Sequence, residues 1–457
     1  MGGEEAGARL ETNLFEAPAA CAASPSRARR FSWGLLSFGD PGYLVNMTAP
    51  QQQAFDLQHR LALFGAPPAF AERLHVGRPN IGDRARLMER FDDLLDRRWL
   101  TNDGPYVLEF ERRIAALLGV RHVVAMCNAT VALEIAIRAL GMTGEVIVPS
   151  FTFVATAHAL QWQQITPVFC DVDRHTHNID PRRVEELITP RTTGIIGVHL
   201  WGRPADAAAL AEIAARRKLR LLFDAAHAFG CSAGGRMIGS LGDAEVFSFH
   251  ATKFLNSGEG GAVTTNDDDL ARRMRLMRNF GFAGYDEVVY VGTNGKMNEL
   301  SAAMGLTSLD AMDEFIATNR ANHAAYAAAL DGIPGVTLLR YDDRERSNYQ
   351  YVVVDVEEAE AGLTRDELQQ VLQAEQVMAR RYFYPGCHRM EPYRSYFPQA
   401  GLVLPETERL TQRVLTLPTG TAVDATIVQR VCDVIRVAVQ HASQVRERLR
   451  AMAPASA

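Results

Sequence analysis

From about residue 80 the chain alternates between two hydrophobic periodicities. Residues 83–100 (DRARLMERFDDLLDRRWL) space their apolar positions three and four apart, which predicts an amphipathic helix; residues 101–120 (TNDGPYVLEFERRIAALLGV) read as a polar turn leading into another. Short apolar runs then follow at His122–Met126, Glu145–Pro149, Thr166–Val172, Thr193–Leu200 and Leu219–Phe223, and they continue at Glu245–Phe249 and Gly261–Thr265. Helical patterns such as Ala129–Leu140 and Pro181–Ile188 lie between them. Strands alternating with helices predict a mostly parallel central sheet covered on both faces.

After Asn298 an Ala/Leu-rich helical region runs to about Leu330, and then the texture changes. NYQYVVVDV is strand-like, TRDELQQVLQAE is helical, and a long amphipathic helix starts at Asp424. The chain therefore divides into three parts. Residues 1–75 form a weakly patterned, partly disordered tail and extension, residues 76–324 a large α/β domain, and residues 325–457 a smaller C-terminal α+β domain. Within the first part, FSWGLLSFGDPGYLV is too apolar for pure disorder. No internal repeat is visible.

Composition narrows the function classes. The 457 residues carry a formal net charge of −6, which gives no basic footprint for nucleic acid. No run approaches the roughly 18–20 apolar residues of a membrane span. The six cysteines are scattered, without CxxC or zinc-type Cys/His spacing, and suit a reduced cytoplasm. The N-terminus has several glutamates and no apolar h-region, so a signal peptide is not expected; SPSRARR at 24–30 reads as a solvated basic tail or a targeting element.

Three features carry candidate chemistry. Lys253 is one of only three lysines, with Lys218 and Lys296, in a chain whose other 45 Lys/Arg positions are all arginine. Arginine is always charged, whereas a partly buried lysine can lose its proton and condense with an aldehyde; taken alone, Lys253 reads more readily as a surface lysine outside the bias. Asp224 closes an apolar strand, where open α/β sheets place ligand groups, and a carboxylate there can hold a protonated ring nitrogen or simply cap a helix. His227, three residues on, can contact a ring hydroxyl or pack. In MCNATVALEIAIRAL a strand gives way to a helix near Ala129. The backbone N–H groups there, with the Thr130 hydroxyl, make an anion site suited to phosphate or an ordinary Asn-capped start. Ser248 can add a second hydroxyl. A GxSxG elbow and a P-loop are absent, and GEGG after Lys253 lacks the strand–GxGxxG–helix context of a dinucleotide site.

Together with VIVPSFTFVATAHAL, TPVFCDVD, TGIIGVHLWGRPAD, DAAHAFG, GSLGDAEVFSFHATK and EGGAVTTND, these pieces stand in a recognisable order. From about residue 75 to the end the chain resembles the DegT/DnrJ/StrS family of nucleotide-sugar aminotransferases. The resemblance implies a fold-type I, aspartate aminotransferase-like α/β architecture and pyridoxal 5'-phosphate (PLP) as cofactor. Lys253 matches the lysine that holds PLP as a Schiff base, and Asp224 the carboxylate on the pyridine nitrogen. Ala129 and Thr130 match the phosphate turn, and Ser248 the further phosphate hydroxyl. Phe153 matches the aromatic stacked on the ring, and Asn294 the asparagine that reaches the phosphate of the neighbouring subunit's cofactor. The family is dimeric at minimum, with active sites at the subunit interface. Two departures stand out: His227 where glutamine is usual, and Lys296 where arginine is usual. A lysine at 253 also sets the chain apart from the family's lysine-less dehydratases.

FHATKF…EGGAV looks most like the branch that aminates C4 of dTDP-4-keto-6-deoxyglucose, with glutamate as donor, in deoxyaminosugar biosynthesis for glycosylated natural products. For the nucleotide sugar the resemblance points to the loop of Arg78 and Asn80, the 101–105 turn, Lys296, and Tyr384 and His388 in RRYFYPGCH. C3-ketosugar, perosamine-type and cyclitol aminotransferases are alternatives within the family, and a non-catalytic PLP-binding regulatory protein is one of another class.

Overall fold

The structure, a computed structural model, describes residues 57–452; the tail at 1–56, with its basic run and its apolar stretch, lies outside them. The seven predicted strands form one sheet, in the spatial order His122–Met126, Gly261–Thr265, Ala244–Ser248, Arg220–Asp224, Thr192–Val198, Glu145–Pro149 and Thr166–Cys170. Gly261–Thr265 runs antiparallel to both its neighbours and the remaining pairs are parallel. The strands at 145–149, 244–248 and 261–265 are buried at every position. That explains why they read as continuous apolar runs rather than alternating ones. Their apolar side chains feed two cores. One includes Phe110, Ile114, Phe223, Phe247 and Leu306, and the other includes Leu133, Val148, Leu222, Val246 and Met274.

Two runs end two residues earlier than expected, and the strands Arg220–Asp224 and Ala244–Ser248 are each shifted by one residue. The third apolar run stops at Cys170, and Val172 instead bridges to Ile179. The fourth stops at Val198, and residues 200–202 turn sharply, with Trp201 at φ 62°. The helical region after Asn298 is two helices, Glu299–Asp310 and Met312–Leu330, broken at Ala311. The final pattern likewise divides, into Ala425–Gln440 and Ala442–Met452, with His441 between.

The C-terminal part has its own antiparallel sheet, ordered Val336–Leu338, Val352–Val356, Val414–Leu417. Its core runs from Tyr326 to Val445 and also takes in Leu57, Leu61, Leu63 and Leu74. Leu74–His75 pairs in parallel with Val377–Met378, and the Glu375 carboxylate accepts the Ala62 and Ala69 N–H groups at 2.6 and 2.7 Å. Residues 57–75 thus complete a core made mostly by residues more than 250 positions away. A segment contributing so few apolar side chains has no periodicity of its own to read.

Candidate active site

Six strands point their carboxyl ends the same way, and the register puts the site there. Gly261 pairs with Met126 on one side and Ser248 on the other, while Asp224 pairs with Val246 and Val198. The helix Ala129–Ala139 starts immediately beyond Met126. Its cap is Asn128, whose Oδ1 accepts the Val131 N–H at 2.9 Å, while its carbonyl accepts the Ala132 N–H at 3.1 Å. The Ala129 and Thr130 N–H groups have no protein acceptor among the described residues, which is what an anion-binding helix start presents. Gly261 lies so close beneath that a Cβ there would sit 2.6 Å from the Ala129 nitrogen. Ser248, paired with Gly261 and buried, lies on the neighbouring strand, where its hydroxyl accepts the His250 N–H at 3.4 Å; the two open N–H groups over Gly261 form a cradle.

Asp224 ends its strand in a buried position. Its Oδ2 accepts the Thr156 hydroxyl at 2.8 Å and its Oδ1 the Ala226 N–H at 3.1 Å. Burial pushes its carboxyl up, and these two donors, with the nearby Lys253 ammonium, pull it back. Lys253 follows a tight turn in which its N–H donates to the His250 carbonyl at 2.8 Å. Its Nζ lies 3.4 Å from the Tyr351 hydroxyl. Burial brings the amine down from 10.5 to about 8, against the pull of Asp224, so a usable fraction is neutral near physiological pH.

His227 is buried and its Nδ1 accepts the Trp201 backbone N–H at 3.3 Å, which leaves the proton on Nε2. Burial and the Lys253 charge hold it well below its usual range, so it stays neutral and offers a single N–H donor. Its ring stacks with Trp201 and Phe383 at 6.0 and 5.9 Å and tilts against Tyr351 at 4.5 Å. Phe153, 56 % exposed, meets Phe383 edge-on at 6.5 Å and is open for a ring to stack on it.

The other sequence candidates fall in different surroundings. Gly295, beside Asn294, accepts the Cys127 N–H at 2.8 Å, which lays that segment along the strand leading to the cradle; Asn294 itself is exposed. Lys296 donates to Asn279 at 3.0 Å and sits 4.8 Å over the Phe280 ring, with burial lowering its amine. Arg78 is exposed. Asn80 is buried, donates to the Phe254 carbonyl at 3.0 Å, and accepts the Thr421 N–H and hydroxyl at 3.0 and 2.9 Å. Those bonds tie the lysine turn to the C-terminal part. Tyr384 lies under the Arg381 and Arg365 guanidiniums, 4.4 and 5.5 Å from its ring centroid. His388 is enclosed, bonded to the Ser150 hydroxyl and the Glu408 carboxylate, both at 2.7 Å. Asn80 and His388 therefore have their side-chain polar atoms occupied by the protein itself. Thr156, Trp201, Tyr351 and Phe383 belong to the site but carry no sequence signal beyond lying inside or beside the quoted motifs.

Comparison with known proteins agrees with this geometry. The profile of the DegT/DnrJ/EryC1/StrS aminotransferase family matches residues 82–436. A dTDP-4-amino-4,6-dideoxy-D-glucose transaminase of Shigella dysenteriae is 35 % identical over 363 residues, covering 79 % of this chain and 98 % of that protein. A crystal structure of DesI in the presence of its TDP-sugar product superposes with a TM-score of 0.83 at 54 % identity, covering 86 % of this chain and all of that one. DesV of S. venezuelae, solved in complex with a ketimine intermediate, gives a TM-score of 0.74 at 32 % identity, over 81 % of this chain and all of its own. The chain, with its half-buried lysine, strand-end carboxylate and helix-start cradle, belongs to the DegT/DnrJ/EryC1/StrS aminotransferase family.

Proposed function

We propose that this protein is a PLP-dependent aminotransferase that moves the amino group of glutamate to C4 of dTDP-4-keto-6-deoxyglucose, giving dTDP-4-amino-4,6-dideoxyglucose. The observation that carries the chemistry is a half-buried amine with a pKa near 8 beside a buried carboxylate and an open helix start. The names of the Shigella relative and of DesI support the sugar.

The residues fit PLP on the chemistry of the donor set. The Ala129 and Thr130 N–H groups and the Thr130 and Ser248 hydroxyls suit a phosphate, and the Gly261 close approach shapes the cradle's floor. Asp224 would face the ring nitrogen, His227 Nε2–H the ring hydroxyl, and Phe153 the ring face. When bound, PLP supplies an electron sink for the carbanion and carries the amino group between the two substrates.

This chain's residues do the rest. Lys253, when neutral, is the amine that would hold the cofactor's aldehyde, and its Nζ would carry the proton to and from the substrate carbon. Asp224, fixed by Thr156 and Ala226, would keep the cofactor's ring nitrogen protonated. Asn294, exposed on its own chain, would be the residue that holds the cofactor phosphate of the other subunit in a cytoplasmic homodimer with shared sites. Arg78, Lys296 and Tyr384 are the side chains through which the nucleotide sugar is held.

The test is product analysis by mass spectrometry and NMR after incubation with dTDP-4-keto-6-deoxyglucose and glutamate. The expected product carries nitrogen at C4; nitrogen at C3, or no amination, overturns the reading. Lys253→Ala is expected to lose both the visible absorbance of the bound cofactor and turnover, and a variant retaining both removes Lys253 from its role.

A further inference from the structure

The lysine turn and the segment after Asp224 are gripped from the C-terminal part of the chain by three residues within 348–351. Asn348 donates to the His227 and Phe229 carbonyls at 2.9 and 3.0 Å, which holds the segment following Asp224. The Gln350 side-chain oxygen accepts the Phe254 N–H at 3.2 Å. The next residue, Tyr351, places its hydroxyl 3.4 Å from Lys253 Nζ, with Nζ 6.0 Å from the ring centroid. The amine therefore meets the oxygen end of the phenol rather than the ring face.

Tyr351 is itself immobilised. It is buried, its ring packs against His227 at 4.5 Å and Trp201 at 5.3 Å, and its carbonyl accepts the Tyr341 hydroxyl at 2.8 Å. We infer that Tyr351 is a positioning residue that tethers the free amine of Lys253 through its hydroxyl, whether that amine is charged or neutral. A phenol can accept from an ammonium and donate to an amine, so the contact survives the gain or loss of a proton by its partner. The amine that leaves the cofactor and must later recapture it thus keeps one address throughout.

The titratable groups facing this pair are Asp224, His227, Tyr341 and Tyr382. Burial raises the Tyr351 phenol well above 10, so it stays protonated over the working range. His227 is neutral for the reason given above, which leaves Asp224 as the charged neighbour of Lys253.

The inference rests on Lys253 being the anchoring amine, but its test does not. Trace acetylation of the full-length apo protein across pH, quantified peptide by peptide, reads the neutral fraction of each of the three lysines. Wild-type Lys253 is expected to titrate near 8. Tyr351→Phe keeps the ring and removes one hydroxyl. Because a bond from a charged donor outweighs one to a neutral amine, the Lys253 midpoint should fall by about half to one unit. Lys218 should not move. Tyr351→His, which restores a polar atom at the ring edge, should return the midpoint toward wild type. In a second readout, apo Tyr351→Phe should recapture PLP about five- to tenfold more slowly, followed by cofactor absorbance. An unchanged Lys253 midpoint in Tyr351→Phe overturns the tether. Should that variant fail to fold, Tyr351→Leu takes its place, a lowered Lys253 midpoint supporting the tether and an unchanged one overturning it. Turnover by Lys253→Ala would instead overturn the anchoring role, leaving the tether to be judged on the labelling alone.

Discussion

Replacing Gly261 by alanine puts a methyl group where the cradle has no room. The added carbon would lie 2.6 Å from the Ala129 nitrogen and the Asn128 carbonyl carbon, and 2.8 Å from the Ala129 Cα. All three are backbone atoms, so no flexible side chain can give way. Real Cβ contacts essentially never fall below 3.0 Å and mostly exceed 3.4 Å, so the helix start must retreat by about 0.4–0.8 Å. A bond from N–H to phosphate oxygen near 2.9 Å would then stretch to about 3.3–3.7 Å, at or past the limit of a hydrogen bond. Two charge-assisted bonds at about 1.5 kcal/mol or more each amount to roughly 3 kcal/mol, a loss of PLP affinity on the order of a hundredfold. The overpacking itself should cost about 1–3 kcal/mol of stability. The assay is equilibrium binding to folded apo protein, run with PLP and with pyridoxal, which lacks the phosphate. PLP binding should collapse while pyridoxal binding changes by only a few-fold. Equal weakening of both ligands, or wild-type affinity for PLP, would refute the cradle.

Three further outcomes follow from the same coordinates. Thr156→Val removes the 2.8 Å donor to Asp224, so the carboxyl should rise by a further one to two units or so, and the acidic limb of the kcat profile should move to higher pH; an unmoved limb counts against Asp224 as the working carboxylate. Lys253 has its amine lowered from 10.5 to about 8, so the folded apo protein binds fewer protons than the unfolded chain in that window, and stability should climb as pH rises from about 8 to 10.5. Lys253→Met should be the more stable form near pH 7 and lose that climb, as urea midpoints across pH would show. Asn80→Ala abandons three buried hydrogen bonds and should cost about 2–4 kcal/mol in chemical denaturation, whereas Arg78→Ala, at an exposed position, should leave the midpoint in place.

What could be read from the chain alone follows the range of each interaction. The strands at 122–126, 145–149 and 261–265 begin and end where their apolar runs do, and nearly all of their positions are buried. Helices were harder to delimit. The breaks at Ala311 and His441 fall inside sequence that stays helix-compatible on both sides, so no local residue announces them. Lys253 stood out only because the chain uses arginine elsewhere, and Asp224 only because a polar residue closed an apolar run. Thr156 reaches Asp224 across 68 residues and Tyr351 reaches Lys253 across 98, and nothing in either neighbourhood marks the partner.

The occupied side chains of Asn80 and His388 follow from the same limit. Resemblance places a residue beside a site, but hydrogen-bond capacity decides whether it has anything left to offer a ligand. Asn80 uses its amide to join the 78–82 loop, the lysine turn and the 419–421 loop, and His388 uses both ring nitrogens between Ser150 and Glu408. Lys296 is held by a single 3.0 Å bond to Asn279, and its remaining N–H donors are still available to a ligand. Tyr384, 38 % exposed, has its ring covered by two guanidiniums. On the proposed function, the side chains with capacity left for the nucleotide sugar are Arg78, Lys296 and Tyr384, and Asn80 and His388 fasten the loops around them.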